Sequence, residues 1–131
     1  MIRTMKLVLA MFDDRISPRF DVAPKMSVYK IEGKKIMHNK DIYCEEWSEM
    51  DRVQRLKDLR VDILVCGAIT NHLCEILLNN GISVIPWVIG DAEDFLHNFF
   101  TSRTKSKMIQ AKNKQPLFKS PQHRRRYKKE G

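Results

Sequence analysis

Cysteine is scarce in this chain: there are three, an odd number, with no Cys-x-x-Cys pair. That argues against a disulfide framework and leaves no closed four-ligand metal site of the zinc type. Such thiols fit a reducing, cytoplasmic setting. The sequence also lacks a phosphate-binding glycine loop and a nucleophile elbow, so the common nucleotide-binding and hydrolase signatures are missing. No apolar run approaches the ~20 residues needed to cross a bilayer, and no membrane role is expected. The short apolar run at residues 7–12 ends in Asp13 and Asp14 without a small-residue cleavage site. It reads as a buried strand, not a signal peptide.

What is present suits one soluble domain. The chain has 131 residues, 43% hydrophobic and 31% charged, enough for one sizeable core. The net charge of +8 is unevenly spread. Residues 1–100 hold 13 Lys/Arg against 15 Asp/Glu, whereas residues 101–131 hold 11 Lys/Arg and one acid, Glu130. In that last stretch Met108, Ile109, Leu117, Phe118 and Tyr127 stand isolated, and Pro116 and Pro121 interrupt any long helix. Residues 1–100 are therefore expected to form the α/β domain. Residues 101–131 are expected to be a basic, flexible tail, with at most a helical turn or two near 105–112. The run 124–129 carries five cations in six positions. It would attract nucleic acid, anionic lipid or an acidic partner. No recognition helix or aromatic platform accompanies it, so nonspecific polyanion contact or a solubilising, partner-docking role is expected.

Within the domain, periodicity gives five strands. Residues 5–12 form a continuous apolar strand of the kind buried on both faces. Residues 13–24 read as a long loop. Residues 25–31 alternate, with Met26, Val28 and Ile31 inward and Tyr29 on the other face. Glu32-Gly33-Lys34 reads as a hairpin turn into a returning strand over 35–43. Ser48, with Asp51 three residues on, caps a helix that buries Met50, Val53, Leu56 and Leu59. A short buried strand at 61–66 ends at Gly67. Thr70 or Asn71 then caps a helix burying Leu73, Ile76 and Leu77, and Asn80-Gly81 stops it. Residues 82–85 form the last strand. Gly90-Asp91 opens a final helix with Ala92, Phe95, Leu96 and Phe99 inward.

Two tandem strand–helix units imply a parallel pair, and the hairpin supplies antiparallel strands. The expected sheet is mixed and five-stranded in the order 3-2-1-4-5, strand 2 antiparallel, with flanking helices. The first and fourth strands then bracket a topological switch point. Loops 13–24, 67–71 and 86–90 meet there, where a ligand is expected.

The run FDDRISPRFDVAPKMSVYKIEGKKI resembles the opening of the dinitrogenase iron–molybdenum cofactor biosynthesis family. An acidic turn (Asp13-Asp14) closes the first strand, followed by Ser17-Pro18-Arg19-Phe20, Ala23-Pro24 and Tyr29. Residues 61–69, VDILVCGAI, are similar to that family's DVVICGGIG segment, and LLNNGISV at 77–84 to its Gly-Ile-x-Val segment. The order and spacing of these pieces, over about residues 5–99, carry the resemblance. Ala68 and Thr70 replace two family glycines, and Arg19 stands where a histidine is common. The resemblance implies a ribonuclease H-like α/β motif. It also implies binding or carriage of an iron–sulfur cluster or an iron–molybdenum cofactor precursor.

The candidate residues gather at the switch point. Cys66, at the end of the fourth strand, offers a soft thiolate for iron, against its alternative as a small core side chain. His72 offers an imidazole, or is a surface residue of a helix's first turn. Ser17, Arg19, Gly67, Ala68 and Thr70 are the expected cofactor-binding set, with Arg19 neutralising an anionic guest. Phe20 is expected to plug the core. Cys74 and Cys44 are weaker ligand candidates. Asp13 lacks the converging carboxylates of a two-metal nuclease, and no enzymatic activity is expected. The leading expectation is a monomeric or weakly dimeric carrier that passes a metal–sulfur species to an assembly or acceptor protein. The alternatives are a metal-free interaction module on the same fold and a basic-tailed, nonspecific nucleic-acid binder.

Overall fold

A computed structural model of the chain describes residues 4–112. The strands are β1 (Thr4–Phe12), β2 (Arg15–Ile16), β3 (Lys25–Glu32), β4 (Lys35–Tyr43), β5 (Ile63–Val65) and β6 (Ser83–Ile85). The helices are α1 (Glu49–Asp58), α2 (Asn71–Asn79), α3 (Ala92–His97) and α4 (Ser102–Lys107). One mixed sheet has the order β4-β3-β1-β5-β6, with β2 paired to β1 off this path. β3 lies antiparallel to β1 and β4 antiparallel to β3, while β5 and β6 run parallel to β1. The sheet therefore has six strands where five were expected. The extra one, β2, arises because Asp13, at φ 56°, turns the chain back so that Met11 pairs Ile16 and Phe12 pairs Arg15.

Both faces of the sheet are covered, which explains why β1 is apolar without alternation. Val8 and Ala10 face a core shared with Val53 and Leu56 of α1 and Leu73 and Leu77 of α2. Leu7, Leu9 and Met11 face the opposite core, with Ala92, Phe99 and Met108. Ile31 belongs to this second core together with Tyr29, not with Met26 and Val28. The strand's period of two puts 29 and 31 on one face, and both faces are apolar, so hydrophobicity alone did not separate them.

Capping follows local chemistry. Ser48 accepts from the Asp51 amide at the start of α1, and Thr70 from the Leu73 amide at the start of α2. Gly33 takes φ 64° in the hairpin turn. Met50 was expected inside but is 54% exposed, and Arg52 is buried in its place at 1%. The Arg52 guanidinium donates to the carbonyls of Ala23 (2.6 Å), Cys44 (2.9 Å) and Trp47 (3.3 Å), and to Cys44 Sγ (3.3 Å). It staples the turn before β3 to the turn after β4.

The packed body also runs past residue 100, where the tail was expected to begin. Thr104, Met108 and Ala111 are buried, and Ile109 pairs with Val84 on the outer edge of β6. The rest of the expected tail, 113–131, lies outside the described residues. Arg52→Ala would strip the Ala23 and Cys44 carbonyls of their charged donor, leaving them only the Cys44 thiol and the Trp47 amide, a cost of about 1.5–3 kcal/mol. Urea unfolding should show that loss, and Arg52→Lys should recover only part of it, because an ammonium lacks the guanidinium's fixed fork.

Candidate functional site

The three switch-point loops do meet, but backbone hydrogen bonds join them. Ser17 donates its amide to the Ala10 carbonyl, and its hydroxyl to the Arg19 carbonyl at 2.9 Å. The Ala68 amide donates to the Pro18 carbonyl (2.7 Å), and the Phe20 amide to the Ala68 carbonyl (2.9 Å). Trp87 and Val88 donate their amides to the carbonyls of Gly67 and Cys66, and Ile16 to that of Gly90. Phe20 is fully buried beneath. Gly67 allows this closeness: a Cβ there would overlap the Ser17 carbonyl and stand 2.5 Å from the Pro18 oxygen.

This arrangement fixes the fate of each expected site residue. Cys66 is fully buried in the core against α1 and α2. Burial, with a smaller contribution from Cys74, pushes its thiol up to about 12. A thiol so held presents no thiolate to the crevice. The other cysteines do no better. Burial also raises Cys44, outweighing Arg52, and its Sγ donates to the Ala23 carbonyl at 3.3 Å. Burial and then Glu75 raise the half-buried Cys74. His72 is exposed on the first turn of α2. Among the described residues, no three His, Cys, Asp or Glu side chains stand close enough to hold a metal ion. Ser17 and Gly67 are buried structural members of the seal.

Arg19, Ala68 and Thr70 do come together, around a cleft of about 250 Å³ shared with Asp21, Ile69, Leu73 and Trp87. The Arg19 side chain is 60% exposed, but Asp21 grips it through two hydrogen bonds, of 3.1 and 2.7 Å. That hydrogen bonding and charge raise its pKa and offset the cation a guest would seek. The residue that sequence reasoning missed is Trp87. It is 66% exposed at φ 61°, a conformation bulky side chains avoid. Its signal was a tryptophan between Pro86 and Gly90, in a loop with no strand or helix face to bury it. Ile89, 93% exposed, extends the apolar surface.

A larger cleft, about 590 Å³, opens on the α3 side and is lined by Asp13, Asp14, Asp41, Asp91 and Glu93 among others. Its carboxylates would repel an anionic metal–sulfur guest. At Asp41 burial pushes the carboxyl up, but hydrogen bonds from His38 and Ser27 prevail and lower it.

A small α/β sheet with its switch point sealed by three loops defines the class of protein. A sequence model described as dinitrogenase iron–molybdenum cofactor matches residues 5–102, and the chain belongs to that family. Its fold is similar to that of PH0822 (TM-score 0.67, 20% identity, covering 83% of this chain and 98% of that one). It is also similar to a Methanocaldococcus jannaschii protein provisionally described as a dinitrogenase (0.60, 19%, 86% and 99%). A third similar structure is the apo form of the orange protein of Desulfovibrio gigas (0.62, 14%, 82% and 93%). No curated protein matches the sequence.

Three outcomes are expected here. Native Cys66 and Cys44 should resist a thiol reagent that modifies Cys74, with all three reacting in denaturant. The folded chain also keeps a Cys66 proton that the unfolded chain releases from pH 9 upward. Stability from this group is therefore full below pH 9 and lost between pH 9 and 12, at about 1.4 kcal/mol per pH unit. Cys66→Ala should flatten that slope in alkaline denaturation curves. Separately, Gly67→Ala should cost about 1–3 kcal/mol through overpacking, and should speed amide exchange at Ala68 and Phe20.

Proposed function

We propose that the chain is a non-enzymatic accessory protein of metallocluster assembly. In this reading it works by docking an assembly or acceptor protein on the face formed by loops 17–21, 67–71 and 86–90. Family membership supplies the process. Trp87 carries the docking reading: a large aromatic side chain, held exposed in a strained conformation beside an apolar cleft. Exposed aromatics at a pocket rim commonly dominate protein–protein affinity. A cytoplasmic, metal-free interaction module on a ribonuclease H-like scaffold fits these features.

Direct ligation of an iron–sulfur cluster or iron–molybdenum cofactor precursor by Cys66 and His72 does not fit this donor set. The one thiol is sealed and protonated, and the imidazole stands alone on α2. A second reading retains the cargo. Arg19, exposed at the cleft, and Thr70 at the start of α2 would hold an anionic metal–sulfur species by charge and hydrogen bonds alone. The pairing of Arg19 with Asp21 weakens it. Nonspecific nucleic-acid binding rests on the charge of residues outside the described body.

The test is anaerobic reconstitution with iron, sulfide and molybdate, followed by metal and sulfide analysis and titration with a purified cluster-assembly protein. Trp87→Ala should weaken protein binding at least about tenfold. Cys66→Ala should change neither metal content nor binding. A stoichiometric, coloured cluster that disappears in a folded Cys66→Ala variant would overturn the docking reading.

A further inference from the structure

A cleft of about 470 Å³ lies between the β6–α3 loop, α3 and α4, and shares only residues 88–90 with the docking face. Val88 and Phe95, both half-buried, give it apolar walls, and Ile89 stands at its rim, 93% exposed. Two acids, Asp91 and Asp94, line it from the start of α3, and two cations, Arg103 and Lys107, line it from α4.

All four charged residues are exposed. The acids are three positions apart and the cations four, so each pair shares one side of its helix. Like charge thus sits with like, and the two signs do not neutralise one another. Among the described residues, no ion pair or side-chain hydrogen bond engages any of the four. Asp91 stands at the N-cap of α3 without a side-chain capping bond.

This layout excludes simple guests. A polyanion would be repelled by Asp91 and Asp94, and a polycation by Arg103 and Lys107. A small polar ligand finds no buried anchor, because Thr104, the buried polar side chain in the lining, already donates its hydroxyl to the Asn98 carbonyl at 3.1 Å. The surface that fits carries both signs beside an apolar projection. The α3–α4 face is itself such a surface. Turned about a two-fold axis, it sets the acids of one copy against the cations of the other, twice, and brings each Ile89 to the opposite cleft.

We propose that the α3–α4 face is an interface between two copies of this chain. In this isologous dimer Asp91 and Asp94 of each copy meet Arg103 and Lys107 of the other, and Ile89 enters the other copy's cleft. The contact is independent of the docking reading, because Trp87 lines the other cleft. Exposed charge pairs add more to specificity than to affinity, so the dimer is weak and reversible.

The test is sedimentation equilibrium of the full chain at ~0.15 M salt, where a Debye length of ~8 Å screens the net charge of +8. The unmodified chain should dimerise as its concentration rises, and Ile89→Ala should raise Kd at least about tenfold. Asp91→Lys with Asp94→Lys should abolish the dimer, and so should Arg103→Glu with Lys107→Glu, because each reversal opposes like charges at both contacts. Far-UV circular dichroism should not change in either variant. Mixed in equal amounts, the two variants should dimerise again, with a Kd within about tenfold of the unmodified chain. A monomer at every concentration up to ~1 mM overturns the proposal. A dimer that survives both reversals overturns it too, as does a mixture of the two variants that stays monomeric.

Discussion

The approach of the Ser17–Phe20 segment to Gly67 and Ala68 is the contact on which the rest of the site depends. The crossing is possible because residue 67 has no Cβ, and two short backbone hydrogen bonds then lock it. With the crossing made, the end of β5 lies beneath a lid of backbone, and Cys66 and Phe20 become interior residues. Without it, the same topology would leave the open crevice usual at a switch point. Gly67 is thus the residue that lets the loops close over the end of β5.

The sealed geometry redistributes chemistry in a consistent direction. Groups able to bind iron are withdrawn or isolated: one thiol is buried among apolar side chains, another is bonded to a guanidinium and a carbonyl, and the imidazole stands alone. Groups suited to proteins are presented instead. Trp87 and Ile89 project from the β6–α3 loop, and Phe12, at the end of β1, and Val22, in the segment before β3, are about half exposed. Burying such groups against a partner releases apolar surface from water, which a single metal–sulfur anion could not do to the same extent.

Legibility in the sequence followed the range of each interaction. Caps at Ser48 and Thr70, the turn at Gly33 and the strands of the sheet are set by residues within a few positions of one another, and periodicity reads them directly. The family itself was legible from the motif around Ser17-Pro18 and from VDILVCGAI. What escaped depends on tertiary packing. Arg52 lies on the helical stripe where Met50 was expected, and its burial makes sense only once the distant Ala23 carbonyl joins those of Cys44 and Trp47 around it. Residues 104–111 look too polar to pack, yet a few small and flexible side chains suffice to cover the edge of β6. Cys66 was read as ligand or core, and the deciding fact, the loop crossing above it, is a contact with residues almost fifty positions earlier.

The same crossing explains why Trp87 tolerates its strained backbone. A positive φ for a bulky residue costs about 1–3 kcal/mol and persists only when neighbours over-determine it. Here the amides of Trp87 and Val88 are tied to the carbonyls of Gly67 and Cys66, the residues just before Ala68, which the Ser17–Phe20 segment holds in place by two hydrogen bonds. Relaxing Trp87 would break hydrogen bonds at the end of β5, and loosening that strand end would free Trp87. The exposed aromatic and the buried cysteine are therefore two ends of one rigid unit.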